Sequence, residues 1–117
     1  MSEPREKAFL ALYERHARNS TEIPDGRVGQ LVAGVLDHVE DIDRLIEGAS
    51  KNWSIQRMAA VDASILRLAV FELTSRPETP TGVVINEAVE LAKRYSTEQS
   101  GSFVNGVLAA IARSTRP

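Results

Sequence analysis

Val84-Ile85-Asn86-Glu87-Ala88-Val89-Glu90-Leu91-Ala92-Lys93-Arg94-Tyr95 is followed, after a short polar link, by Ser102-Phe103-Val104-Asn105-Gly106-Val107-Leu108, and these segments decide how the chain folds. Val84, Ile85, Ala88, Leu91, Ala92 and Tyr95 recur at steps of three and four, which places them on one face of a helix starting near Gly82. Phe103, Val104, Val107, Leu108 and Ile111 repeat the pattern. A last helix is therefore expected through Arg113, capped by Ser100 or Ser102. Asn86 and Asn105 stand among these apolar residues and are expected to tie helices together by hydrogen bonds.

Working outward, Pro77 and Pro80 enforce a turn ahead of this region. Before them, Ala60 to Thr74 is apolar nearly all round, the mark of a helix buried on most sides and thus of the central core element. Asn52-Trp53-Ser54 interrupts the pattern, with Ser54 expected to cap a turn through Met58. From Arg27 to about Ser50, Val28, Val32, Val35, Val39, Ile42 and Ile46 alternate spacings of four and three, which reads as one long helix. Gly29 and Gly34 weaken that helix, so their use is close helix contact or a bend. At the start, Ser2 is expected to cap a helix with Pro4 just inside it, and Ala8, Phe9, Leu12 and Tyr13 carry its stripe to about Arg18. Strand alternation is essentially missing, so the fold class is all-α.

The 117 residues suffice for one domain with a sizeable core. No apolar run approaches the roughly 20 residues that span a bilayer, and the N-terminus has no apolar signal core, so no membrane association and a cytoplasmic location are expected. Without cysteine there is no disulfide framework or thiolate metal site. His16 and His38 have no second ligand at metal spacing. No glycine-rich phosphate loop or nucleophile motif is present, so no cofactor, metal or catalytic residue is expected and the chain reads as a non-enzyme. The net charge of -2 carries no general cationic footprint for nucleic acid. Charge is nevertheless uneven. Arg5, Lys7, Arg15 and Arg18 lie early, whereas Asp37, Glu40, Asp41, Asp43 and Glu47 crowd one stretch that reads as a solvated face.

The opening signature resembles that of the NusB family of transcription antitermination factors. Val61-Asp62-Ala63-Ser64-Ile65-Leu66-Arg67-Leu68-Ala69-Val70-Phe71-Glu72-Leu73 looks like that family's buried helix, and Arg5-Glu6-Lys7-Ala8-Phe9-Leu10-Ala11-Leu12-Tyr13 is similar to its opening helix. The resemblance implies a compact domain of two small packed helical bundles, about 1–52 and about 53–117, the second carrying the signature. It implies binding of boxA-like single-stranded rRNA leader RNA together with ribosomal protein NusE, within an RNA polymerase antitermination complex. Carried over by position, Arg5, Tyr13 and Phe103 match RNA-contacting residues, and Asp62 matches a carboxylate on the NusE face. Lys7, Lys93, Arg94, Gln99 and Ser100 complete the expected RNA set, with Gln99 standing where the family often has an acid. Rings such as Tyr13 and Phe103 suit unpaired bases, which stack on aromatic faces while cations follow the phosphates. The same rings also suit packing against a core.

Two departures from the family bear on this reading. Family members usually open with several consecutive arginines, whereas Arg5 and Lys7 here are interleaved with Glu3 and Glu6, which predicts weaker RNA binding and a flatter salt dependence. Only Asn19 to Gly26 stands where the family generally has a further helical segment, so the first bundle is expected to be shortened. That would leave Phe9, Leu10 or Leu31 for a second copy to cover in a homodimer. The alternative is a NusB-like protein-protein interaction module that has lost specific RNA binding. A detached counterpart of the domain that precedes some rRNA cytosine methyltransferases is a third reading.

Overall fold

A computed structural model describes residues 3–51 and 53–116; the proposed Ser2 cap and Asn52 lie outside them. All regular structure among the described residues is helical: α1 Glu3–Arg18, α2 Gly26–Asp37, α3 Val39–Ala49, a single 3-10 turn Ile55–Arg57, α4 Ala60–Ser75, α5 Thr81–Tyr95 and α6 Glu98–Thr115. No described helix is long and apolar enough to cross a membrane.

The all-round apolar character of α4 has the consequence expected of it. Ile65, Leu66, Leu68, Val70 and Leu73 are buried, and α4 packs against α1, α2, α3, α5 and α6. Each such side chain removed from water stabilises the fold by roughly 1.5–3 kcal/mol, so α4 organises the domain around itself. Phe9 and Leu31 belong to this core, at 1% and 9% exposure, so they are not available to a second copy; Leu10 is exposed. The Asn19–Asp25 connection contains no helix.

The expected long helix is two helices. His38 takes a non-helical φ of -117° with ψ of 15°, its backbone N–H bonds Val35 O, and its Nδ1 lies 2.9 Å from Gly34 O. The apolar spacing Val35, Val39, Ile42 runs straight through this break, which is why periodicity did not show it. Separating the two pieces lets α2 lie against α1 and α4 while α3 lies against α4 and α6.

Gly34 serves close approach, as expected. A Cβ built there would stand 2.3 Å from Cζ of buried Phe71. Gly34→Ala gains up to about 1 kcal/mol of helix propensity, but overpacking of this kind costs about 1–3 kcal/mol. A net loss of stability is expected in chemical denaturation, and a variant more stable than the parent would refute the steric account.

Two arginines hold the helices in register. Arg67 bonds both oxygens of Asp43 at 2.9 Å and approaches His16 Nδ1 at 3.2 Å, linking α4 to α3 and α1. Arg116 closes the other end of α4: its guanidinium donates to Glu72 O, Leu73 O, Arg76 O, Thr79 O and Thr81 Oγ1. Carbonyls at a helix C-terminus lack intrahelical partners, and a cation there also complements the dipole. The acidic stretch is correspondingly divided. Asp37, Glu40 and Asp41 are exposed, as expected of a solvated face, but Asp43 binds Arg67 and Glu47 accepts the N–H of Ile55 at 2.8 Å. The turn after Ser54 forms without a side-chain cap bond.

Candidate nucleic-acid interface

The candidate residues fall on α1, the end of α5, the start of α6 and the start of α4, and a series of contacts joins these pieces. Tyr13 lies with its ring centroid 6.3 Å from that of Phe9, and Phe9 lies 5.1 Å from Tyr95. The next residue, Ser96, places its hydroxyl 2.9 Å from that of Ser100, and Ser100 donates to Asp62 Oδ2 at 3.4 Å. Tyr13 and Phe103 are partly buried against the core, so each ring both packs and keeps part of itself at the surface. Phe103 lies three positions beyond Ser100 on α6, a helical neighbour.

The cap of α6 differs from expectation. Thr97 is the N-cap, its hydroxyl accepting from Ser100 N at 3.1 Å, and the helix begins at Glu98. Phe103 therefore sits in the second turn, where backbone N–H groups are already committed to the helix, and the positive end of the dipole lies beside the Glu98 carboxylate. Gln99 is exposed in the first turn. Periodicity did not find this start because Glu98 and Gln99 are polar and Thr97 lies beyond the apolar stripe.

Most of the expected cations already have partners. Arg5 Nε sits 2.7 and 2.8 Å from the two oxygens of Glu72, and its Nη1 is 3.4 Å from Glu87. Lys7 pairs with Glu3 at 2.8 Å across one helical turn. Arg94 and the Tyr95 hydroxyl both donate to Glu6 Oε2, at 2.8 and 2.6 Å. These donors hold the Glu6 carboxyl below its ordinary pKa, the Tyr95 bond contributing most, and the same bond raises the Tyr95 phenol. Nothing in the sequence points to Glu6 or could pair it with a residue 88 positions away. The Glu3–Lys7 pair was legible from its spacing.

Lys93 forms no ion pair among the described residues. With Asn86, Val89, Glu98, Gly101, Ser102 and Asn105 it lines a groove between α5 and α6. Asn86 and Asn105 are exposed along that groove and make no side-chain hydrogen bond among the described residues, so they do not tie helices as expected.

Asp62 is half-buried at the start of α4. Burial raises its pKa, opposed by the Ser100 hydrogen bond, and its Oδ1 is buried without a hydrogen-bond partner among the described residues. Exposed Arg44 and Asp41 pair with each other, and no group of three or more His, Cys, Asp or Glu side chains positioned to hold a metal occurs among the described residues.

The chain is similar to known proteins in sequence and in fold. The NusB family's sequence model matches residues 2–113. The transcription antitermination protein NusB of Geobacter sulfurreducens is 59% identical over 87 residues, covering 74% of this chain and 62% of that protein. The aligned segment thus spans less than two thirds of that relative's length. The solved structure of T. maritima NusB superposes with a TM-score of 0.86 at 35% identity, covering 97% of this chain and 91% of that one. A solved complex of antitermination factors NusB and NusE with dsRNA contains a chain that superposes with a TM-score of 0.82 at 33% identity, covering 95% of this chain and 94% of that one. The chain belongs to the NusB family.

Proposed function

We propose that this protein is a non-enzymatic RNA-binding transcription antitermination factor of the cytoplasm. It holds boxA-like single-stranded rRNA leader RNA along the edge formed by Tyr13, the end of α5 and the start of α6, and it binds a NusE-type ribosomal protein at the start of α4. Lys7, Lys93, Arg94, Gln99, Ser100 and Phe103 serve the RNA, and Asp62 serves the protein partner. Together they join RNA polymerase.

The observation that carries this reading is the Ser100–Asp62 contact. It joins a residue of the RNA edge to a residue of the partner face, so whatever fixes one side chain biases the other. The two ligands are therefore expected to bind cooperatively, which is reciprocal by linkage.

Titrating labelled boxA RNA into the protein with and without NusE tests this. Affinity is expected to rise roughly 5- to 150-fold with NusE, the span of ordinary coupling free energies, and scrambled RNA is expected to bind more weakly in both series. Equal affinity for boxA and scrambled RNA, with and without NusE, overturns the proposal.

A further inference from the structure

Away from the edge that carries Tyr13 and Phe103, the starts of α1 and α2 meet the end of α4 around a cleft of about 280 Å³. Its walls carry Arg5, Arg27 and Arg76, with Glu72, Gln30 and Thr79 among the other lining residues. The carboxylate in this group is spent internally, because Arg5 Nε bonds both oxygens of Glu72. What remains is cationic. Arg27 is exposed on the first turn of α2, Arg76 lies with its guanidinium carbon 5.7 Å from the centre of the Phe71 ring, and neither forms an ion pair among the described residues.

We infer that this cleft is a phosphate-binding subsite held chiefly by Arg27 and Arg76. Guanidinium groups present planar donor forks that match phosphate oxygens two at a time, and Gln30 adds an amide donor to the same cleft. The guanidinium of Arg76 also lies over the Phe71 ring, whose quadrupole attracts a cation. The space equals the share of roughly nine waters at ~30 Å³ each, so it admits a phosphate with the sugar it is esterified to. Asp62 near the start of α4 and Arg76 just past its end lie at opposite ends of that helix. The cleft thus lies at the far end of α4 from Asp62, and it shares Arg5 with the expected RNA set. Where the source is RNA, the inference rests on the RNA-binding reading; the phosphate chemistry itself does not depend on it.

The test uses the full chain, with inorganic phosphate as the first probe. Amide shifts in NMR spectra are followed against a chloride titration of equal ionic strength, for the parent, Arg27→Gln and the Arg27→Gln, Arg76→Gln double variant. Saturable shifts at residues 26–30 and 76–79 are expected in the parent, weaker in the single variant and lost in the double. Arg27 has no ion pair to lose, so the single variant keeps the fold and decides the matter if the double variant does not. In the second arm, single-stranded RNA affinity is measured against salt. The slope is expected to flatten by about 0.7 for each phosphate contact removed, hence by about 1.4 in the double variant. An unchanged RNA slope with lost phosphate shifts assigns the site to free phosphate. Phosphate shifts that match chloride, or that survive both substitutions, overturn the inference, and they do so even if the parent binds no RNA.

Discussion

Arg5→Ala is expected to destabilise the protein by about 3–5 kcal/mol at neutral pH, a large share of the 5–15 kcal/mol that a domain commonly has. The cause is the carboxylate left behind. The Glu72 side chain is only 5% exposed and bonds Arg5 Nε through both oxygens, so removing that cation leaves a buried charge with no ion pair and only the more distant Arg76 to offset it. Burial already raises the Glu72 pKa, and Arg5, by hydrogen bond and by charge, works against that rise. Without Arg5 the pKa moves further up. A carboxyl whose folded pKa exceeds its unfolded value binds its proton more tightly when folded, so stability falls as pH rises from the unfolded value through the folded one. The penalty is therefore expected to be small near pH 4 and to grow as pH rises toward neutral. Urea denaturation of parent and variant at both pH values checks this, and a pH-independent loss below about 1 kcal/mol would count against it.

The same substitution decides what Arg5 contributes to RNA binding. A guanidinium held by Glu72 and Glu87 gives up those bonds to reach a phosphate. The double variant Arg5→Ala, Glu72→Gln removes the buried charge together with its partner and should recover most of the stability. RNA affinity that returns with it assigns Arg5 to the fold. Affinity that stays low assigns it to the ligand, as position in the family implies.

The fold was largely legible because burial writes itself into spacing. The all-round apolar run of α4, the stripe of α5 and the stop at Pro77 each have a local physical cause, and the helices stand where those causes put them. The break at His38 had no such trace, since the apolar steps of four and three continue across it and the contacts His38 makes there are with the Gly34 carbonyl and the Phe71 ring. Polar residues were harder still. Glu6, Glu72 and Arg116 act on partners far away in sequence, so their roles exist only after the helices have assembled. For Asp62 resemblance supplied the position and for Ser100 the expected helix start before Phe103 did, and only the assembled chain brought them into contact.

Tyr13→Leu and Phe103→Leu are each expected to weaken RNA binding at least about 5-fold, and the double variant at least about 25-fold. Stacking of a base on an aromatic ring is worth about 1–3 kcal/mol, and leucine retains apolar packing while removing the π face. Both rings are partly buried against the core, so truncation to alanine would mix lost packing with lost stacking. Glu6→Gln is expected to act in the opposite direction. Glu6 Oε2 receives Arg94 and the Tyr95 hydroxyl, so removing its charge frees a cation at the proposed RNA edge and removes a charge that would repel phosphate there. The variant should bind RNA more tightly at low salt and show a slope steeper by about 0.7, the signature of one added phosphate contact to a single strand. Filter binding across a salt series, with thermal melts to confirm folding, separates the two effects: ring variants shift affinity at every salt concentration without changing the slope, and Glu6→Gln changes the slope. Ring variants that bind like the parent, together with a Glu6→Gln slope equal to the parent's, would place the RNA elsewhere on the molecule.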